Sequence, residues 1–98
     1  MTPVRFLPEA EAELLHEIGY YSEKREGVGI RFVAAVEAAI ELTTRHPRGG
    51  APTHDGTRSV LVKGFPFSVI YRADAAERVI VAIAAHHRRP GYWVTRIG

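Results

Sequence analysis

The run Val79-Ile80-Val81-Ala82-Ile83-Ala84-Ala85 is apolar at every position. Successive side chains of a strand point to opposite faces, so such a strand must be covered on both sides. In a chain of 98 residues that demand leaves room for one hydrophobic core and one domain, spanning 1–98. The run is placed in the middle of a sheet, and the rest of the chain is read as its cover.

Val4-Arg5-Phe6-Leu7 reads as a short strand that stops at Pro8, a residue suited to the first turn of a helix. Glu9, Glu11 and Glu13 put negative charge near the unpaired N–H groups of a helix start. Ala10, Leu14, Ile18 and Tyr21 then line one helical face, and this helix is expected to reach about Arg25. Gly27 and Gly29 are read as a turn, because glycine is costly inside a helix. A second period, Phe32, Val36, Ala39 or Ile40, and Thr43, makes an antiparallel helical hairpin, with close approach expected through Ala34, Ala35, Ala38 and Ala39. It stops before His46-Pro47, since a residue preceding proline is pushed out of the helical region, and Arg48 to Pro52 reads as loop.

From there the period changes to two. Arg58 to Lys63 and Phe67 to Arg72 read as strands joined by Gly64-Phe65-Pro66, and Asp74 to Glu77 is a second turn before the apolar run. Pro90-Gly91 ends that run and leaves Tyr92 to Arg96 as a tail. The fold class is α+β, in the order β-α-α-β-β-β with a short C-terminal tail. The helical hairpin packs on one face of an antiparallel sheet, and the first strand joins its edge.

Composition narrows the chemistry. With no cysteine, disulfides, thiolate catalysis and cysteine-ligated metal sites are excluded. No apolar stretch approaches the roughly 20 residues that cross a bilayer, and Met1 to Arg5 does not lead into a secretory pattern, so a cytoplasmic location without membrane contact is expected. Residues 1–50 hold six Lys and Arg against eight Asp and Glu, and residues 51–98 hold seven against three. Positive charge therefore gathers toward the C-terminal end, where His86 to Gly98 holds Arg88, Arg89 and Arg96 and no acid, and favours a polyanion or an acidic partner. His86 and His87, adjacent on a strand, would point to opposite faces and cannot share an ion. With His16, His46 and His54 scattered, no metal and no cofactor is expected, and one of the pair is expected to pack inward.

Three segments carry a family likeness: Ala10-Glu11-Ala12-Glu13-Leu14-Leu15 through Ile18 and Tyr20-Tyr21, then Phe65 to Arg72, then Val81 to Trp93. With the loop Pro47 to Gly56 and the strand opening at Arg58, the chain resembles the RelE/ParE superfamily, the toxins of type II toxin–antitoxin pairs, and it is closer to the ParE branch. The resemblance implies a cytoplasmic toxin held in a hetero-oligomer by a cognate antitoxin, a ParD-like DNA-binding protein. It also implies one of two targets. ParE-like members bind and disable DNA gyrase without known chemistry; RelE-like members cut mRNA on the ribosome. Ser68 stands where the nuclease branch is expected to carry a cation, and Ser59-Val60-Leu61-Val62 holds no lysine pair, so gyrase inhibition is the favoured reading. A ribosome-dependent endoribonuclease built from His87, Arg88, Arg89 and Tyr92 is the alternative. A general RNA-binding module would spread aromatics across the sheet for stacking, whereas here they gather at strand ends and in the tail.

The target-binding residues are accordingly placed at His86, His87, Arg88, Arg89, Tyr92 and Trp93, since arginine beside aromatics is what binding surfaces enrich. Trp93 can equally cover the end of the sheet. Arg58, Arg72, Tyr20 and Tyr21 are assigned to the antitoxin, with one of the two tyrosines expected to be the more exposed. Phe65, Phe67 and Tyr71 are assigned to packing.

Overall fold

The computed structural model describes residues 2–97. Its elements are β1 (Val4–Phe6), α1 (Pro8–Lys24), α2 (Val28–Arg45), β2 (Ala51–Pro52), β3 (Arg58–Val62), β4 (Phe67–Ala73) and β5 (Arg78–Ala85), with single 3-10 turns at His54–Gly56 and Val94–Arg96. The five strands form one sheet in the order β1-β5-β4-β3-β2.

The expected α+β layout is present, with three refinements. β1 pairs in parallel with β5, Val4 beside Arg78 and Phe6 beside Ile80, so the otherwise antiparallel sheet is mixed. The stretch read as loop after Pro47 contains β2, which adds two residues to the edge of β3 before Pro52 ends the ladder. β5 is interior, but β4 holds the middle position.

The helical hairpin departs from expectation at its turn. Gly27 does make the turn, in the left-handed region at φ 81°, where a side chain would be strained. Gly29, however, lies inside α2, not before it. A Cβ there would sit 2.1 Å from Ser22 Oγ and 3.3 Å from the Ile18 carbonyl. This glycine sets the contact distance between the helices; of the alanines expected to do so, Ala39 is buried and Ala35 half-buried, but Ala34 and Ala38 face outward.

Two apolar layers cover the sheet. Toward the helices, Ala10, Phe32, Val36 and Ala39 meet Val62, Phe67, Val69, Tyr71, Ile80 and Ile83. Tyr21, Phe32, Phe65 and Phe67 form an aromatic cluster within this layer, with centroids 5.0 to 6.2 Å apart and mostly edge-to-face. Each such pair adds about 0.5–1.5 kcal/mol beyond the area it buries. On the opposite face Ile70, Val79, Val81, Ala82 and Ala84 are covered by Trp93, with Tyr92 and Ile97 packed around it.

A register shift between Ile70 and Tyr71 places one extra residue in β5, since Ile70 pairs with Ala82 and Tyr71 with Ile80. This bulge breaks the alternation, so that Val81 and Ala82 both belong to the tail side. The small side chains at 82 and 84 leave space for an indole.

Polar anchors complete the frame. The buried Tyr71 hydroxyl donates to the Pro47 carbonyl at 2.8 Å and accepts from Gly50 N–H at 3.1 Å, tying the loop after α2 to β4. Arg78, also buried, donates from Nε to the Thr43 carbonyl at 2.8 Å and from Nη1 to Asp74 O at 3.0 Å. A guanidinium at the end of α2 suits the unpaired carbonyls and partial negative charge of a helix C-terminus.

Candidate functional site

β5 ends at Ala85, so His86 and His87 lie in a turn and not on a strand. Both are exposed, and the expected inward histidine is absent because the alternation that would have produced it stops one residue earlier. His86 N–H donates to Pro66 O at 2.9 Å, which folds the turn back over the start of β4, and His86 Nε2 is 2.9 Å from Ser68 Oγ. Ser68, at the position expected of a cation in the nuclease branch, thus orients an imidazole. Among the described residues no group of three His, Cys, Asp or Glu side chains converges as a metal site.

Arg88 and Arg89 follow on the same exposed turn, and the Arg88 guanidinium stands 4.0 Å from the Tyr92 ring centroid. Arg96 approaches the same ring at 5.1 Å. Stacking on an aromatic face restrains a guanidinium while leaving its N–H edge free to donate. Trp93 is 6% exposed and belongs to the core of the tail face. Its ring packs edge-to-face with Tyr92 at 5.5 Å and with His54 at 5.9 Å.

The tail is held by a carboxylate that sequence reading had assigned only to the start of α1. Glu13 accepts Ile83 N–H at 3.1 Å, the Tyr92 hydroxyl at 2.6 Å, and both Arg96 Nη groups at 2.9 Å. Arg96 Nη1 also donates to Val81 O at 3.0 Å. The reason is local. β1 leaves β5 at the bond from Leu7 N–H to Ile80 O, and beyond it β5 has no neighbouring strand on that side. Glu13 and Arg96 satisfy the N–H and the carbonyl left open there.

Burial pushes the Glu13 carboxyl up, but the bonds from Arg96, Tyr92 and Ile83 N–H together hold it below the usual carboxylate range. Burial, then the Glu13 hydrogen bond and charge, push the Tyr92 hydroxyl well above the usual tyrosine value. The Tyr92 hydroxyl hydrogen is held in the bond to Glu13. The signal for Glu13 was its place three residues after Ala10, on the apolar face of α1.

Two clefts flank the turn. One, about 580 Å³, runs between α1 and the ends of β4 and β5, with His16, Tyr20, His87 and Arg88 in its walls. The other, about 150 Å³, lies on the tail face between Ser59, Ser68, His86, Arg88, Arg89 and Trp93. The residues assigned to the antitoxin do not converge. Tyr20 is exposed on α1 while Tyr21 packs into the aromatic cluster, as expected of the pair. Arg58 pairs across from Tyr71, toward the other end of β4 from Phe67, and spends Nη1 on the carbonyls of Arg48 and Gly50. Arg72, half-buried, lies beside Val79. No helix among the described residues is long and apolar enough to cross a membrane.

The family model described as "ParE toxin of type II toxin-antitoxin system, parDE" matches residues 4–90. The chain belongs to the ParE toxin family. Among solved structures, the "Chromosomal ParDE TA system from P. aeruginosa" is similar to this ParE-family chain with a TM-score of 0.69 and 20% identity, covering 87% of this chain and 96% of that one. "The structure of YoeB dimer from Staphylococcus aureus" is similar with a TM-score of 0.59 and 15% identity, covering 88% and 98%. At these identities the likeness is one of fold. No curated protein sequence matches the chain significantly. The matched span stops at Pro90, so Tyr92, Trp93 and Arg96 of the ParE-family toxin lie beyond it.

Proposed function

We propose that this type II toxin poisons by binding rather than by catalysis, that its target is DNA gyrase, and that a ParD-like antitoxin neutralises it in a cytoplasmic hetero-oligomer. The observation that carries the reading is the commitment of the polar groups around the exposed turn. Tyr92 is bound to Glu13, Arg96 to Glu13 and Val81 O, and His86 to Ser68. What is left free is a contact surface of His87, Arg88 and Arg89, beside the ring of Tyr92 and backed by Trp93. Phosphoryl cleavage needs several cations around one phosphate and a mobile proton; binding needs only shape and charge. ParE membership supports the same side.

The exposed His87 beside Arg88 and Arg89 is the feature that favours the alternative, a ribosome-dependent endoribonuclease. Controlled expression without antitoxin separates the two. Loss of negative supercoiling in a reporter plasmid with intact transcripts is the expected result; codon-positioned cuts in mRNA with normal supercoiling would overturn it. The double variant Arg88→Ala, Arg89→Ala is expected to lose toxicity while keeping its melting temperature, because both side chains are exposed. Full toxicity in that variant would move the active surface elsewhere.

A further inference from the structure

The smaller cleft, on the tail face, contains an unspent donor set. Among the described residues, one buried side-chain polar atom has no hydrogen-bond partner, and it is Trp93 Nε1. Buried donors are nearly always paired, and this one has no acceptor among the described residues. Trp93 stands in the wall of this cleft, with Ser59, Ser68, His86, Arg88 and Arg89 around it. Neither Arg88 nor Arg89 is paired with a carboxylate among the described residues. Arg88 is stacked on Tyr92, so one cation is already held in place. No acidic side chain lines the cleft.

We propose that this cleft receives the carboxylate of an acidic side chain on the toxin's protein target, with Arg88 and Arg89 supplying the charge, Ser59 the neutral donor, and Trp93 N–H the remaining bond. The inference rests on the binding reading given above and adds the chemistry of the residue it grips. A volume of about 150 Å³ admits one carboxylate with its methylenes. The same walls include Ile70, Ala84 and Pro90, an apolar lining that suits a glutamate stem. Two arginines on one turn make a point of charge, whereas a nucleic-acid backbone calls for a track of cations.

The chain has one tryptophan, so its indole N–H gives a single reporter resonance. Full-length toxin is titrated with a capped peptide of alternating glutamate and glycine, with its glutamine counterpart, with inorganic phosphate and with a short single-stranded RNA. A saturable downfield shift of the indole N–H with the glutamate peptide in the millimolar range, absent with the glutamine peptide, is the expected result. Equal shifts from both peptides, or none, overturn the proposal; so does a shift driven by phosphate or RNA but not by the glutamate peptide.

Trp93→Phe removes the donor and retains an aromatic ring on the tail face. It is expected to weaken peptide binding about tenfold, the loss of one hydrogen bond to a charged group, with a melting temperature lowered by the smaller ring in the tail-side core. Unchanged binding would leave Trp93 a packing residue only and overturn its part. Ser59→Ala, which removes the neutral donor, offers a second test should Trp93→Phe fold poorly. Gyrase inhibition with no peptide binding sinks this inference alone, and mRNA cleavage with peptide binding intact sinks the gyrase reading alone.

Discussion

Replacing Glu13 with alanine should be among the most damaging single changes in the molecule. Glu13→Ala leaves three groups without their acceptor: Ile83 N–H in β5, the Tyr92 hydroxyl and the Arg96 guanidinium. A neutral hydrogen bond contributes about 0.5–1.5 kcal/mol and one to a charged group about 1.5–3, while breaking a buried ion pair costs about 3–5. Solvent still reaches 17% of the Glu13 side chain and 15% of Arg96, so the low end of that range applies. The loss is therefore about 3 kcal/mol, which lowers the melting temperature of a domain this size by about 15 °C. Thermal unfolding followed by circular dichroism measures it directly. Glu13→Gln keeps an acceptor for Ile83 N–H or Tyr92 and should lose about half as much. The pH dependence adds a second check. The folded Glu13 carboxyl sits below its unfolded value of about 4.3, so its contribution is complete above that pH and disappears as pH falls through the folded value. Glu13→Gln should flatten this part of the acid unfolding curve. A melting temperature for Glu13→Ala within a few degrees of the parent would refute the view that Glu13 fastens the tail.

Tyr71→Phe should cost about 1–3 kcal/mol, because Pro47 O and Gly50 N–H both lose their partner; urea unfolding gives the value, and a change below the error of the fit would argue against the anchor. Gly29→Ala should destabilise through the clash with Ser22 Oγ, and adding Ser22→Ala should recover part of the loss. If Gly29→Ala is neutral or stabilising, the helices have room that their contact geometry denies.

How much of this could be read in the chain differs by element. The faces of α1 and α2, the stop before His46-Pro47 and the strands β3 to β5 follow from periodicity, because burial imposes a repeat that the residues display. The bulge in β5 has no such sign: in a run that is apolar throughout, an extra residue changes which face a side chain takes without changing its type. β2 was hidden in a segment where Gly49, Gly50 and Pro52 speak only for a loop. At the candidate site, the exposed cluster from His86 to Arg89 was legible as a charge pattern, but its turn conformation was not, since it depends on the bond from His86 N–H to Pro66 O, twenty residues back. Trp93 could be given both roles from sequence; the orphan N–H that connects them is visible only in the packing. Glu13 was misread as one of several helix-start acids because charge near a helix N-terminus and a carboxylate on a buried face look alike in a sequence.

The tail has a consequence for how such a protein can change. The residues from His86 to Ile97 carry both the proposed weapon and the cover of the apolar layer on the tail face. A partner that pulls this segment away exposes Ile70, Val81, Ala82 and Ala84 to water along with it. Disarming by displacement would then be unfolding of one whole face. Substitutions that retune the target are confined to the outward-facing turn, while Trp93 and Arg96, a few residues on, can vary only at the expense of the fold.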